Sequence, residues 1–387
     1  MRVCGIIAEY DPFHRGHLHH LSEARRLVQA DFVVCVLSTA FTQRGLPGLF
    51  STHDRARMAL QSGADLVLGM PVSASCAQAN RFAMGGVGTL HGLGVVTHLS
   101  FGVEPAALPY LEEAARLLHR DDEALGALRR QGLQQGKSFA RAQGEALSQL
   151  LQGVSPALLS QPNFVLGTGY LQAMLALGAA FELAPVPRVG SYHDTSVTPL
   201  PSATAVRQAL LRGDWQGVAR AVPQESLQVV QQAVWQGRLH RPEGLDRVLL
   251  HHLLTQGVPP DAAEISEGLE QRILQKARQA SSRAELIELV KSKRYPHARI
   301  SRALSSALLG LSDAPPATPA YARLLGFRKR AAPLLTAIKR GAFPLIDRPA
   351  RSNLPGIAQD MRAEELWHIG AGLPAQQAWQ QHTIIIP

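Results

Sequence analysis

Cysteine is nearly missing from this chain, with only Cys4, Cys35 and Cys76 among 387 residues. They stand far apart in apolar surroundings and none belongs to a CxxC pair, so neither a disulfide framework nor a cysteine zinc site is suggested. Buried, reduced thiols are expected. Long apolar runs are missing too: no stretch approaches the roughly 18 to 20 uncharged apolar residues that span a bilayer. The opening Met1-Arg2-Val3-Cys4-Gly5 leads into a patterned strand without the basic, apolar and small-residue zones of a secretory leader. A cytoplasmic protein with no membrane partner is expected. Repeats and low-complexity segments do not stand out either.

Hydrophobic residues make up 46% of the chain and charged residues 18%, which places it among globular proteins. Its length favours two domains over one. The net charge of +9 is concentrated: between Arg272 and Arg340 stand 15 Lys or Arg against three acids, Glu285, Glu288 and Asp313. That segment carries +12 and leaves −3 for the rest of the chain. A basic block on a near-neutral body is the footprint of a polyanion partner, with a solvated helical face as the plainer alternative.

Over the first ~105 residues, short apolar runs alternate with helical patterns, as in a parallel α/β sheet. Strands are expected at Val3 to Ala8, Phe32 to Ser38, Leu66 to Leu68 and Val95 to Phe101, with helices at His17 to Ala30, Thr52 to Ser62 and Gln78 to Leu93. Right-handed crossovers make this a Rossmann-like doubly wound sheet with its ligand site at the carboxyl ends of the strands. From Pro105 to about Ser160 the pattern is helical, with breaks at Gly132 and Gly136. Another helix follows Gln161-Pro162-Asn163, and Pro187-Arg188-Val189-Gly190 reads as a short strand. Beyond Gly213 the chain is almost wholly helical until the Pro-rich stretch near Asp313 to Pro319. The boundary is placed near residue 215, giving an α/β nucleotide-binding catalytic domain at 1–215 and a basic, mostly α-helical domain at 216–387.

The chemistry concentrates in Ala8-Glu9-Tyr10-Asp11-Pro12-Phe13-His14-Arg15-Gly16-His17, where an apolar strand delivers two histidines to the first turn of a helix. A helix amino terminus carries unpaired N–H groups and partial positive charge, so this segment is suited to an anion, and to phosphate in particular. His14 and His17 resemble the HxGH element of the nucleotidyltransferase superfamily, in which imidazole donors meet the charge that builds on an α-phosphate. Gly16 lets phosphates approach the backbone. The stretch Ser202-Ala203-Thr204-Ala205-Val206-Arg207 matches a second superfamily element. Ser202 caps a helix through Leu211, Ser202 and Thr204 supply hydroxyls for the β- and γ-phosphates, and Arg207 faces charge on the leaving pyrophosphate.

A closer resemblance extends over nearly the whole chain. Gly5 to His17, Gln43-Arg44-Gly45, Ala59 to Val67, Leu99 to Glu104, Gln161-Pro162-Asn163 with Leu166-Gly167, and Pro187 to Gly190 with Tyr192-His193-Asp194 resemble, in this order, blocks of the tRNA(Met) cytidine acetate ligase family. Ser202 to Arg207, Lys293-Arg294-Tyr295 with Arg299-Ile300 and Arg302, and Arg323 to Phe327 continue the series. The resemblance implies ATP-dependent acetylation of the wobble cytidine of elongator tRNA(Met). Acetate attacks the α-phosphate to give acetyl-adenylate and pyrophosphate, with Mg²⁺ sharing the charge, and the cytidine N4 amine then takes the acetyl group.

By motif position, the ATP contacts implied are the segment Ile7 to Leu21 (Ile7, Ala8, Glu9, Tyr10, Asp11, Pro12, Phe13, His14, Gly16, His17 and Leu21), together with Gly102, Asn163 and Arg188. At Gly102 a strand-end glycine lets adenosine lie against the backbone. Arg188 is equally readable as a surface charge. His14, His17 and Arg207 are the catalytic candidates, and Lys293, Arg294, Arg299 and Arg302 the RNA-binding ones; no resident metal site is expected.

The chain departs from the family pattern at Asp11, which stands where the family usually has Asn. It places a charge beside the phosphates that repels them unless it holds Mg²⁺ or a histidine. Near Thr52 a lysine common in the family is missing before Arg55. Two other readings share the catalytic elements: a small-molecule adenylyltransferase, which needs no basic domain, and a tRNA-binding protein with a decayed nucleotide pocket. His19 and His20 read as helix surface or packing, and His251-His252 has no metal-ligand partner at a useful spacing.

Overall fold

The run Val3–Ala8 forms strand β1, and its side chains divide between two cores. Val3 and Ile7 pack with Val34, Val36, Leu66 and Leu68 on one face. Cys4 and Ile6 pack with Val33, Cys35, Leu37 and Val67 on the other. A strand covered on both faces has no use for polar alternation, which is why the run is continuously apolar. In a computed structural model, residues 1–187, 202–313 and 318–387 are described.

β1 pairs in parallel with β2 (Phe32–Leu37) on one side and β4 (His98–Ser100) on the other, and β2 pairs in parallel with β3 (Leu66–Gly69). β6 (Glu182–Leu183) extends the sheet beyond β4. Helices α1 (Arg15–Val28) and α2 (Thr52–Gln61) cover one face, with Leu21, Ala24, Met58 and Leu60 in the same core as Cys4 and Ile6. Helices Ala79–Gly92 and Pro162–Leu177 cover the other. The doubly wound arrangement is thus as expected, and the element ends differ from the sequence reading by at most three residues. Gly86 shows why the helix Ala79–Gly92 can lie so close: a Cβ there would come within 2.6 Å of Ile7 Cδ1. β5 (Gly102–Val103) and β7 (Val186–Pro187) form a separate two-stranded pair beside the main sheet.

The sheet has eight strands because the end of the chain returns to it. β8 (Ala322–Arg328) pairs antiparallel with β3 across an irregularity at Val67 and Leu68, and β9 (Leu345–Ile346) and β10 (Ile384–Ile386) flank β8. The sequence reading does not contain these strands. In β8 an arginine and a glycine interrupt the apolar pattern: Arg323 is buried against Glu364 at 2.7 Å, and a Cβ on Gly326 would meet the Ile384 carbonyl oxygen at 2.7 Å.

From the helix Ala203–Arg212 to β8 the regular elements among the described residues are helices. A third core gathers Leu249, Ile273, Leu286, Ile300, Leu304 and Trp367, and it includes Phe41, Val72 and Cys76 from the first part of the chain. Trp367 donates its indole N–H to the Gly48 carbonyl at 2.6 Å, and Asp360 accepts from the Val72 N–H at 2.7 Å and from the Tyr321 hydroxyl at 2.8 Å. The three cysteines are buried and reduced, and burial pushes each thiol up to about 12. Among the described residues, no helix is long and apolar enough to cross a membrane.

His240 carries a pH dependence. It is 3% exposed, and burial pushes its imidazole down from 6.5 to about 4. The folded chain therefore keeps it neutral where the unfolded chain protonates it. Its contribution is complete above pH 6.5 and is lost as pH falls through 4, a change of about 3 kcal/mol. Urea midpoints at pH 7 and pH 4.5 are expected to differ accordingly, and the difference should shrink in His240→Asn. An undiminished difference in that variant would assign the acid sensitivity to other groups.

Candidate active site

A cleft of about 500 Å³ opens at the carboxyl ends of β1 and β4, where the strand order turns from one side of β1 to the other. That is the crevice in which doubly wound sheets hold ligands. The residues after β1, the strand end at Gly102, the start of the helix Pro162–Leu177 and the start of the helix Ala203–Arg212 all reach it.

His14 is the N-cap of α1, with extended backbone (φ −131°, ψ 174°). Its Nδ1 accepts from the Gly16 N–H at 3.1 Å, and the His14 N–H donates to Nδ1 of His17 at 3.3 Å. The two imidazoles thus act as a capping box usually built from a hydroxyl and a carboxylate. An Nδ1 that accepts a backbone N–H bears no proton, so the proton of each neutral ring sits on Nε2. The rings stack with centroids 3.6 Å apart. Tyr10 and Phe13 pack against His17, their ring centroids 4.8 and 5.6 Å from its own. Tyr10 is buried at φ 51°, its hydroxyl lies 3.7 Å from Cys35 Sγ, and burial raises its pKa well above the ordinary value. The imidazole pair is therefore held by packing as well as by capping.

The second element arrives as the sequence indicates. Ser202 caps its helix by accepting from the Ala205 N–H at 3.1 Å. Arg207 donates to the Asp11 carbonyl at 2.7 Å and to the Thr204 hydroxyl at 3.2 Å, which ties the two ends of the site together. Ile7, Ala8, Glu9, Tyr10, Asp11, His14, Gly16 and His17 line the cleft with Gly102, Asn163, Ser202, Thr204 and Arg207. Pro12, Phe13 and Leu21 do not appear in its wall; Phe13 and Leu21 are core residues beneath it. Arg188 lies outside the described residues. The Asn163 amide donates to Glu104 at 2.5 Å.

Asp11 differs from what its charge suggested. Its carboxylate is 5% exposed and accepts from the backbone N–H groups of Leu49 and Phe50 at 2.9 and 3.0 Å. The charge is met by two amides of a neighbouring loop, so the acid fastens that loop beneath the site. Arg55 does the complementary task for carbonyls. Fully buried, it donates to Glu9 at 2.8 Å, Ser38 at 2.9 Å and Phe50 at 3.2 Å, and also to Thr39.

Residues that the sequence left aside also come to the wall. His19 and His20 line the cleft, and His20 Nε2 lies 3.1 Å from the Ser100 hydroxyl. Their position one turn after the capping pair was the available signal. The turn Thr42 to Pro47 forms another part of the rim, and the Gln43 N–H donates to Glu9 Oε1 at 2.8 Å.

Of the basic candidates, Lys293 and Arg294 are exposed. Arg294 pairs with Glu267 at 3.0 Å. Arg294 and Arg299 lie over the Tyr295 ring, 5.8 and 5.6 Å from its centroid, and Arg299 also bonds Ser266 at 2.6 Å. Arg302 is buried and pairs with Glu264 at 2.8 and 3.2 Å.

A doubly wound sheet with paired imidazoles capping the first helix, and an arginine from a second helix start in the same cleft, defines the nucleotidyltransferase class. Consistent with this, the model of the HIGH Nucleotidyl Transferase family matches residues 1–382. The chain is 35% identical over 379 residues to the tRNA(Met) cytidine acetate ligase of Syntrophomonas wolfei, covering 92% of this chain and 91% of that protein. It is 32% identical over 358 residues to that of Fervidobacterium nodosum, covering 89% and 84%. The crystal structure of apo Thermotoga maritima TmcAL superposes with a TM-score of 0.90 at 28% identity, over all of both chains, and the form bound with alpha-thio ATP with a TM-score of 0.88. The chain belongs to the tRNA(Met) cytidine acetate ligase family.

Proposed function

We propose that this protein uses ATP to activate acetate and transfers the acetyl group to N4 of the wobble cytidine of elongator tRNA(Met). The observation that carries this reading is the convergence of His14 and His17, capping the start of α1, with Arg207 in one cleft. An acetate oxygen attacks the α-phosphorus while the bond to the β-phosphate breaks and pyrophosphate leaves. His14 and His17 donate to the α-phosphate oxygens as charge builds there. Arg207, with the Ser202 and Thr204 hydroxyls nearby, meets the charge of the departing pyrophosphate. N4 then attacks the acetyl carbon, the acyl–phosphate C–O bond breaks, AMP leaves and the N4 proton passes to solvent.

Among the described residues, no group of three His, Cys, Asp or Glu side chains is arranged to hold a metal ion. In this reading Mg²⁺ would be held by the triphosphate oxygens and would share the charge there. The proposed division of labour assigns nucleotide chemistry to residues 1–215 and RNA docking to 216–387. It divides function rather than folding, since β8 to β10 complete the catalytic sheet.

Mass spectrometry of nucleosides from tRNA treated with the protein, ATP and acetate is the direct test. N4-acetylcytidine confined to elongator tRNA(Met) is expected; adenylyl transfer to a small molecule, with unmodified RNA, would favour the adenylyltransferase reading. For docking, Lys293 is the strongest of the four basic candidates because it is exposed, whereas Arg302 is committed to Glu264. Lys293→Glu is expected to weaken RNA binding and lower the slope of log K against log salt by about 1. An unchanged slope would remove this position from the docking face.

A further inference from the structure

The turn from Thr42 to Pro47 touches both halves of the proposed machinery. It closes on itself through the Gly45 N–H to the Thr42 carbonyl at 2.9 Å and the Thr42 N–H to the Leu46 carbonyl at 2.8 Å. One side lines the nucleotide cleft and is tied to Glu9 by the Gln43 N–H at 2.8 Å. The other side is pressed onto the helix His297–Leu309 of the basic segment. At the contact stands Gly45, with φ +73°, where a Cβ would come within 2.6 Å of the Arg302 backbone nitrogen. The close approach and the backbone sign both demand glycine.

Gly45 is also gripped chemically. Its carbonyl accepts from Arg283 Nη2 at 2.6 Å and from the Ser305 hydroxyl at 2.7 Å. Arg283 is 6% exposed and donates to the Ser301 carbonyl at 2.5 Å as well, so one guanidinium bridges the turn and the helix. The nearby Asp246 carboxylate accepts the Arg283 backbone N–H at 3.1 Å, while the guanidinium hydrogen bonds go to carbonyls and serine hydroxyls; burial lowers its pKa to about 10. A buried cation held by neutral carbonyls is costly to install, and its geometry is correspondingly specific. It joins the cleft rim to the segment that carries the basic surface.

We propose that Arg283 is a positioning residue for acetyl transfer. By clamping Gly45 to the helix His297–Leu309, it holds the cleft rim and the RNA-docking segment as one body, so that the acceptor amine meets the activated acyl carbon in register. This inference rests on the ligase reading above. Activation of acetate needs only the cleft, whereas transfer needs an RNA held at another part of the molecule to be aligned with it. Misplacement by about 1 Å is enough to slow such a step on the order of tenfold to a hundredfold.

The test measures the two half-reactions of the full-length protein separately. Acetate-dependent ATP–pyrophosphate exchange reports activation, and single-turnover acetylation of tRNA reports transfer. In Arg283→Met, exchange is expected to stay within about threefold of the parent while the transfer rate falls about tenfold or more, with RNA affinity nearly unchanged. Arg283→Lys should recover part of the transfer rate, and Gly45→Ala should reproduce the split through the opposite partner. Exchange and transfer falling in proportion in the folded variants, or transfer left intact, would overturn the clamp. If Arg283→Met does not fold, the lysine and Gly45→Ala variants decide by the same criterion. Absence of exchange in the parent protein would instead overturn the ligase reading itself.

Discussion

His17→Asn is expected to slow acetyl-adenylate formation on the order of 10²- to 10³-fold while leaving RNA affinity within about twofold. The asparagine oxygen can still accept the His14 N–H, which His17 Nδ1 takes at 3.3 Å, so the start of α1 survives. What is lost is the Nε2 donor and the ring that Tyr10 and Phe13 hold in place. His17→Ala would confuse the two roles, because it also removes the acceptor of the His14 N–H in the capping box. Pyrophosphate exchange gives the rate and filter binding gives the RNA affinity. If exchange survives in the asparagine variant, the imidazole is a cap and nothing more; if RNA binding falls with it, the residue is structural.

Arg55→Met is expected to destabilise the protein by about 3 to 5 kcal/mol, the largest stability effect anticipated for a residue outside the cleft wall. The methionine replaces much of the side-chain volume, so the deficit is not mainly a cavity. Four carbonyls, of Glu9, Ser38, Thr39 and Phe50, lose their common donor inside the protein. They belong to the segments after β1 and β2 that shape the cleft, so weaker ATP binding should accompany the loss. Lysine is a poor rescue, since one ammonium group cannot reach the span that a planar guanidinium covers. Urea unfolding measures the effect. A change below about 1 kcal/mol would show that these segments hold their shape without the arginine.

The parts of the molecule governed by local pattern were readable in advance. Apolar runs covered on both faces gave the parallel strands, and the capping position of Ser202 and the spacing of His14 and His17 gave the two capped helix starts that line the cleft. What the sequence hid depends on partners distant along the chain. Asp11 looked like an unwelcome charge because nothing nearby in sequence names Leu49 and Phe50 as its donors. Arg302 stood among the RNA-binding candidates because Glu264, which holds it, lies on another segment. β8 escaped notice because its pattern is broken by Arg323 and Gly326, each of which has a use only once Glu364 and β10 are in place.

The antiparallel pairing of β8 with β3 also sets an order of events during synthesis. β3 leaves the ribosome early and β8 near the end, so the outer edge of Leu66–Gly69 stays without its final partner while most of the chain is still being made. An unpaired, apolar strand edge invites pairing with other chains. The nascent protein thus stays open to aggregation at this edge until β8 has been made, and a pause shortly before Ala322 would prolong the exposure.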